Sequence, residues 1–196
     1  MGTVLIFPDL ASPVAVWDDL AVGHRQRQVV DYRQLVEEPT DFDQLTAAAI
    51  ALVRATPQPV TLLGHGFGAF LALAVATTQF GRLDRLLLVT PAYQLPSFRG
   101  RLANLHLKRQ GAFASTALGK KATLQLYQTA ANRDLTNQLM HVQCRVEIYC
   151  GEQDRAHRGP AEDLYRRLLE GHLTMVPQMG TQVTAGTRAA IAESLR

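Results

Sequence analysis

The sequence predicts an α/β fold: a doubly wound, mainly parallel sheet of about six strands, with helices on both faces and a small helical cap inserted before the penultimate strand. Three observations carry this expectation. Short apolar runs alternate with segments of helical period along most of the chain. One such run, from Val60 to Leu63, passes through a glycine-rich turn directly into a strongly apolar helical segment. The rhythm then breaks once, between Pro91 and Arg145, where no strand pattern is visible.

Taken in order, Thr3 to Phe7 (TVLIF) reads as a buried strand ended by Pro8, and Gln28 to Tyr32 (QVVDY) as a second. Asp41 to Ala55 reads as a helix, with Asp43 as N-cap and Leu45, Ala49, Leu52 and Val53 on one face. Pro59 to Leu63 is the third strand, and the helix after the glycine turn is expected over Ala69 to Thr78. Leu83 to Val89 is the fourth strand. Helical stretches are expected around Leu102–Gln110 and Lys121–Leu139. Strands resume at Val146–Cys150 and Leu173–Val176, each followed by a helix, Pro160–Leu169 and Gly186–Leu195. Pro160 suits a first helical turn. Residues 1–196 thus read as a single domain, with 91–145 as the inserted cap.

Composition bounds the function. A chain of 196 residues, 47% hydrophobic and 19% charged, is ordinary for a globular domain. At that length folding buries roughly 70% of the unfolded surface, so no staples are needed. The net charge is only +3, but it is unevenly spread. The segment 91–145 carries Arg99, Arg101, Lys108, Arg109, Lys120, Lys121, Arg133 and Arg145 against the single acid Asp134. This is either a solvated surface or a lobe that meets something anionic. A nucleic acid is not expected, because there is no recognised motif and little aromatic interleaving. No apolar run reaches the length of a membrane span. The first apolar run lacks a basic lead and is broken by Pro8 and Asp9, so it is not a signal peptide. Cys144 and Cys150 on one extended segment would sit roughly 20 Å apart, too far for a disulfide. Free thiols suit the cytoplasm. His141 and Cys144 form an H-x-x-C pair, but the strand pattern outweighs a metal site, and no cofactor is expected.

The most informative stretch is Val60 to Ala74, VTLLGHGFGAFLALA. Strand, tight glycine turn and helix together resemble the nucleophile elbow, G-x-S-x-G, of the α/β-hydrolase fold superfamily. Here the turn reads Gly64-His65-Gly66-Phe67-Gly68. The resemblance extends along nearly the whole chain. VLIFPDL is similar to the family's strand leading into its oxyanion loop, with Trp17 after it, although Pro8-Asp9 stands where His-Gly is common. VVDYRQL resembles the D-x-R-G segment, with Gln34 in place of glycine, and RLDRLLLVTPAY resembles the strand before the cap. VEIYCGEQD is similar to the strand and loop of the catalytic acid, which implies that role for Asp154. HLTMVPQMGTQV resembles the last strand and the histidine loop, where P-x-x-G-H is replaced by Pro177-Gln178-Met179-Gly180-Thr181. The resemblance begins at what is usually the family's third strand, implying a short version without the first hairpin.

What it implies about chemistry is mostly loss. The serine route needs an activated hydroxyl, a base and an acid to orient that base. Gly66 has no side chain, and Thr181 cannot act as a base near neutral pH. Glycine also relieves about 1–3 kcal/mol of backbone strain at the elbow while keeping the turn. Two readings remain open. One is a non-catalytic pseudo-hydrolase that binds a small anionic or acyl ligand, or a protein partner, near Asp9, Leu10, His65 and Phe67. The Phe67 N–H could still bind an oxygen, because a turn entering a helix is a natural anion site. Phe98, Leu102, Leu105, Phe113, Leu124 and Tyr127 either line such a pocket or form the core of the cap. The other is a hydrolase of esters or thioesters with a rearranged site, in which Asp154 and His157 activate water. Asp154 reads equally well as a loop cap, and His157 as a surface histidine. His172 falls at the opposite end of its strand.

Overall fold

The computed structural model describes residues 2–37, 40–79, 81–95, 118 and 120–196. Thr3–Phe7 forms β1 as expected, with every residue buried. A strand covered on both faces is a continuous apolar run rather than an alternating one. The same holds for β3 (Val60–His65) and, except at its start, for β7 (Arg145–Gly151). With β2 (Gln26–Val29), β4 (Leu83–Val89) and β8 (Gly171–Val176) these strands build one parallel sheet of six, in the order β2-β1-β3-β4-β7-β8. A tier such as Phe7, Gly64, Leu88, Ile148 and Leu173 shows the register.

Alternate residues of each strand feed two cores. Leu5, Phe7, Leu62, Leu88 and Ile148 join α2 (Phe42–Ala55), α3 (Phe67–Ala76), α4 (Lys120–Ala130) and α5 (Arg158–Arg167) on one face. Val4, Ile6, Leu63, Leu87 and Tyr149 join Trp17, of the 3-10 turn Val14–Trp17, and α6 (Ala185–Ser194) on the other. The strand order reverses between β1 and β3. In an open α/β sheet that switch point, outside the carboxyl ends of the strands, is where ligands bind.

Several boundaries differ from the expectation, each for a local reason. The second strand lies at Gln26–Val29 rather than Gln28–Tyr32. Asp31 instead caps the short helix α1 (Tyr32–Leu35), accepting from the Arg33 N–H at 3.0 Å. As an edge strand with three exposed residues, β2 carries no apolar signature. The N-cap of α2 is Asp41, not Asp43. Asp41 accepts from the Gln44 N–H at 2.8 Å, and the Gln44 amide oxygen accepts from the Asp41 N–H at 3.1 Å, a complete capping box. Asp43 pairs with Arg133 at 2.6 Å. Glycines allow α3 to begin at Phe67, two residues before the expected Ala69.

The connection between β4 and β7 does contain strands. Gln94–Leu95 (β5) pairs antiparallel with Arg133–Asp134 (β6), a ribbon too short to leave a period in the sequence. Helix α4 and a 3-10 segment, Thr136–His141, occupy the expected stretch 121–139. The expected helix Leu102–Gln110 lies outside the described residues, as do Phe98, Phe113, Arg99, Arg101, Lys108 and Arg109. Among the described residues no helix is long and apolar enough to cross a membrane.

Candidate functional site

The site is built on the turn between β3 and α3. Gly66 has φ +55° and ψ −116°, a conformation that side chains resist. Its N–H donates to the Val89 carbonyl at 3.0 Å, which ties the turn to the end of β4. The flanking glycines make the crossing possible. A Cβ on Gly64 would stand 2.4 Å from the Gly68 carbonyl oxygen, and one on Gly68 would stand 2.0 Å from that of Phe7.

Asp9, in the loop after β1, reaches over this turn. Its Oδ1 accepts from the Phe67 N–H at 2.9 Å, and Oδ2 accepts from the Ala11 N–H at 3.0 Å and the Ser12 hydroxyl at 3.3 Å. Tyr127 of α4 brings its hydroxyl to the same carboxylate, and burial followed by the Asp9 charge pushes the pKa of that phenol well up. The Tyr32 hydroxyl fixes the loop by donating to the Pro8 carbonyl at 2.8 Å. The oxygen expected on the Phe67 N–H is therefore supplied by the chain itself. Leu10, expected beside a ligand, is fully buried in the larger core.

His65 turns to the opposite face, against Trp17 with ring centroids 5.9 Å apart. Its Nε2 lies 3.2 Å from the Thr181 carbonyl, which can only accept, so Nε2 carries the proton. Burial holds the imidazole pKa down, against the pull of the Asp9 carboxylate and the Thr181 carbonyl. Thr181 thus serves the site through its backbone, and its side chain is exposed. A base whose folded pKa lies below the unfolded one takes up its proton preferentially in the unfolded chain. The stability it contributes is complete above about pH 6.5 and is lost as the pH falls below that value. His65→Gln is expected to flatten the fall in the urea midpoint between about pH 7.5 and pH 5.5. An unchanged slope would remove His65 as its source.

Asp154 and His157 come together in the loop after β7. His157 Nδ1 lies 2.8 Å from Asp154 Oδ2 and 3.0 Å from Oδ1. The N–H groups of Ala156 and His157 also donate to Oδ1, at 3.2 and 3.1 Å. The Asp154 side chain has 0% exposure and that of His157 has 30%. Burial alone would raise the Asp154 pKa; the His157 hydrogen bond and charge, with the two backbone donors, outweigh it and hold the carboxyl below its ordinary value. Both partners of this dyad are electrostatically felt at His65.

Two features escaped the sequence reading. Thr90, at the carboxyl end of β4, has φ +48°, an outlier for a β-branched residue. Its N–H donates to the Tyr149 carbonyl at 2.8 Å, so the sheet holds the strain in place. The clustering of Tyr32 and Tyr127 near Asp9 joins residues distant in sequence and has no local signal. His172 lies in the first half of β8, opposite Glu147, and is exposed. Cys144 and Cys150 are free thiols, and burial pushes each up to about 11. Among the described residues no group of three or more His, Cys, Asp or Glu side chains is placed to hold a metal.

Comparison with known proteins agrees with this geometry. The chain resembles the bromoperoxidase of Bacillus anthracis with a TM-score of 0.78 at 13% identity, over 99% of this chain and 90% of that one. It resembles a lipase-esterase related protein of Clostridium acetobutylicum with a TM-score of 0.75 at 12% identity, over 99% and 93%. It resembles the enol-lactonase of Burkholderia xenovorans LB400 with a TM-score of 0.69 at 12% identity, over 98% and 87%. At such identities the likeness is one of fold alone. Among curated proteins, none matches this chain in sequence. The model of the alpha/beta hydrolase family matches residues 6–187, from the second half of β1 into α6. With the parallel sheet, the strand–glycine turn–helix elbow and the order of the surrounding loops, that match makes the chain a member of the alpha/beta hydrolase family.

Proposed function

We propose that this protein is a non-catalytic member of its family, a pseudo-hydrolase that binds a small molecule at the carboxyl edge of its sheet. The observation that carries the reading is the elbow itself. It keeps the left-handed turn and the close glycine crossing, yet Gly66 presents no nucleophile. Thr181, at the position of the family's base, directs only its carbonyl inward. Serine-type acyl transfer needs both groups. Retention of the turn and of the close glycine crossing without them favours a scaffold kept for binding. The free thiols support a cytoplasmic location.

A second reading rests on the Asp154–His157 pair. An imidazole oriented by a buried carboxylate can take a proton from water while the water oxygen bonds to the ester carbonyl carbon; the ester C–O bond then breaks and the leaving alkoxide takes the proton from the imidazolium, with no covalent enzyme intermediate. Hydrolysis of a panel of activated esters and thioesters by the wild type and by His157→Ala separates the two. Silence from the wild type is the expected result. Turnover that disappears in His157→Ala would establish the water-activating reading in place of the first.

A further inference from the structure

We infer that Asp9 is an internal ligand of the elbow: its carboxylate fills both the volume of the missing nucleophile and the position of the oxygen that the elbow amide would bind. The inference rests on the binding reading and narrows the ligand, because it closes the elbow to anions and to substrate carbonyls.

Two independent distances meet on one side chain. A Cβ built on Gly66 would stand 2.5 Å from Asp9 Oδ1, 2.8 Å from Cγ and 3.1 Å from Cβ. Real Cβ atoms do not make such contacts, so a serine at position 66 and the present Asp9 rotamer exclude each other. The same Oδ1 accepts from the Phe67 N–H at 2.9 Å, at the positive end of the ten-residue helix α3. The helix terminus that would hold a ligand's oxygen therefore already holds a carboxylate. That carboxylate is held in turn by the Ala11 N–H and the Ser12 hydroxyl, and it faces Tyr127. Asp9 is in none of the ion pairs among the described residues, and the hydrogen bonds it accepts there come from the Phe67 and Ala11 N–H groups and the Ser12 hydroxyl. An anion approaching the elbow finds its donor taken. The basic character of 91–145 thus does not make the elbow an anion site.

Asp9 is accordingly a third lesion beside Gly66 and Thr181, coupled to the first. Restoring serine and histidine alone would not rebuild a working site, because a serine side chain at position 66 would collide with Asp9 and the oxyanion position would remain occupied. The test is a double-mutant cycle of G66S and D9A read by thermal midpoint, with inorganic phosphate as the anion probe. G66S is expected to lower the midpoint by about 2–10 °C more in the wild-type background than in the D9A background. Phosphate is expected to raise the midpoint of D9A and leave that of the wild type unmoved. Should D9A fail to fold, D9N keeps the shape and removes the charge. G66S should remain as costly in D9N as in the wild type, and the Phe67 amide proton should move upfield by NMR as its acceptor becomes neutral. Equal penalties for G66S with Asp9 and with alanine would overturn the proposal, as would a phosphate response in the wild type or an unmoved Phe67 amide in D9N. None of these readings depends on turnover. Wild-type esterase activity would sink the binding reading and leave the cycle intact, whereas a null cycle would do the reverse.

Discussion

Gly68→Ala is expected to prevent folding or to lower stability by about 3 kcal/mol or more, the upper end for overpacking. The added Cβ would stand 2.0 Å from the Phe7 carbonyl oxygen and 2.7 Å from that of Pro8. Both neighbours are backbone, and β1 is held by its register with β3, where Phe7 lies opposite Gly64. Neither side can retreat without breaking the central ladder. For a domain of this size, 3 kcal/mol corresponds to a fall of about 6–12 °C in midpoint. Gly159→Ala in α5 is the control, because nothing lies within 4 Å of its Cβ. That variant is expected to be neutral or to gain up to about 1 kcal/mol. Equal midpoints for the two variants would mean that the β1–α3 crossing is looser than the distances require.

Phe67→Ala is expected to cost about 3–5 kcal/mol, the usual range for a buried aromatic. Phe67 packs edge-on against Phe42 of α2, with ring centroids 5.9 Å apart, and against Tyr127 of α4, with centroids 5.2 Å apart. Helices α2 and α4 are also tied by the Phe42 N–H donated to the Thr129 hydroxyl at 3.0 Å, with Arg133 and Asp43 pairing at 2.6 Å nearby. The loss should therefore fall unevenly. Hydrogen exchange is expected to quicken in residues 120–130 well before it does in β3 or β4. Uniform quickening would show that α4 is not held chiefly through Phe67.

The elements that were legible in the sequence are those whose signal is local. β1 and β4 were readable to the residue because burial on both faces leaves an unbroken apolar run, through all of β1 and over Leu86–Val89 of β4. The elbow was readable because the close crossing of a strand and a helix demands glycine at fixed spacing, and Gly64 and Gly68 meet that demand on either side of the turn at Gly66. The pairing of Asp154 with His157 was within reach because three residues in one loop can bring a carboxylate and an imidazole together. β2 was displaced because its place is set by hydrogen bonds to β1, not by its own exposed side chains. The β5–β6 ribbon was missed because two residues carry no period.

By itself, then, the sequence determined the family, the parallel architecture and the absence of a hydroxyl at the elbow and of an imidazole at position 181. Each of these follows from residue type and short-range spacing. Only the tertiary structure decided what fills the space that Gly66 leaves. Asp9 and Phe67 are far apart in the chain, and they meet because β1 and β3 are neighbours at the point where the strand order reverses. The direction of His65, away from the elbow and toward Thr181, was decided in the same way. A strand's alternation assigns a side chain to a face, but only the packed sheet shows what waits there.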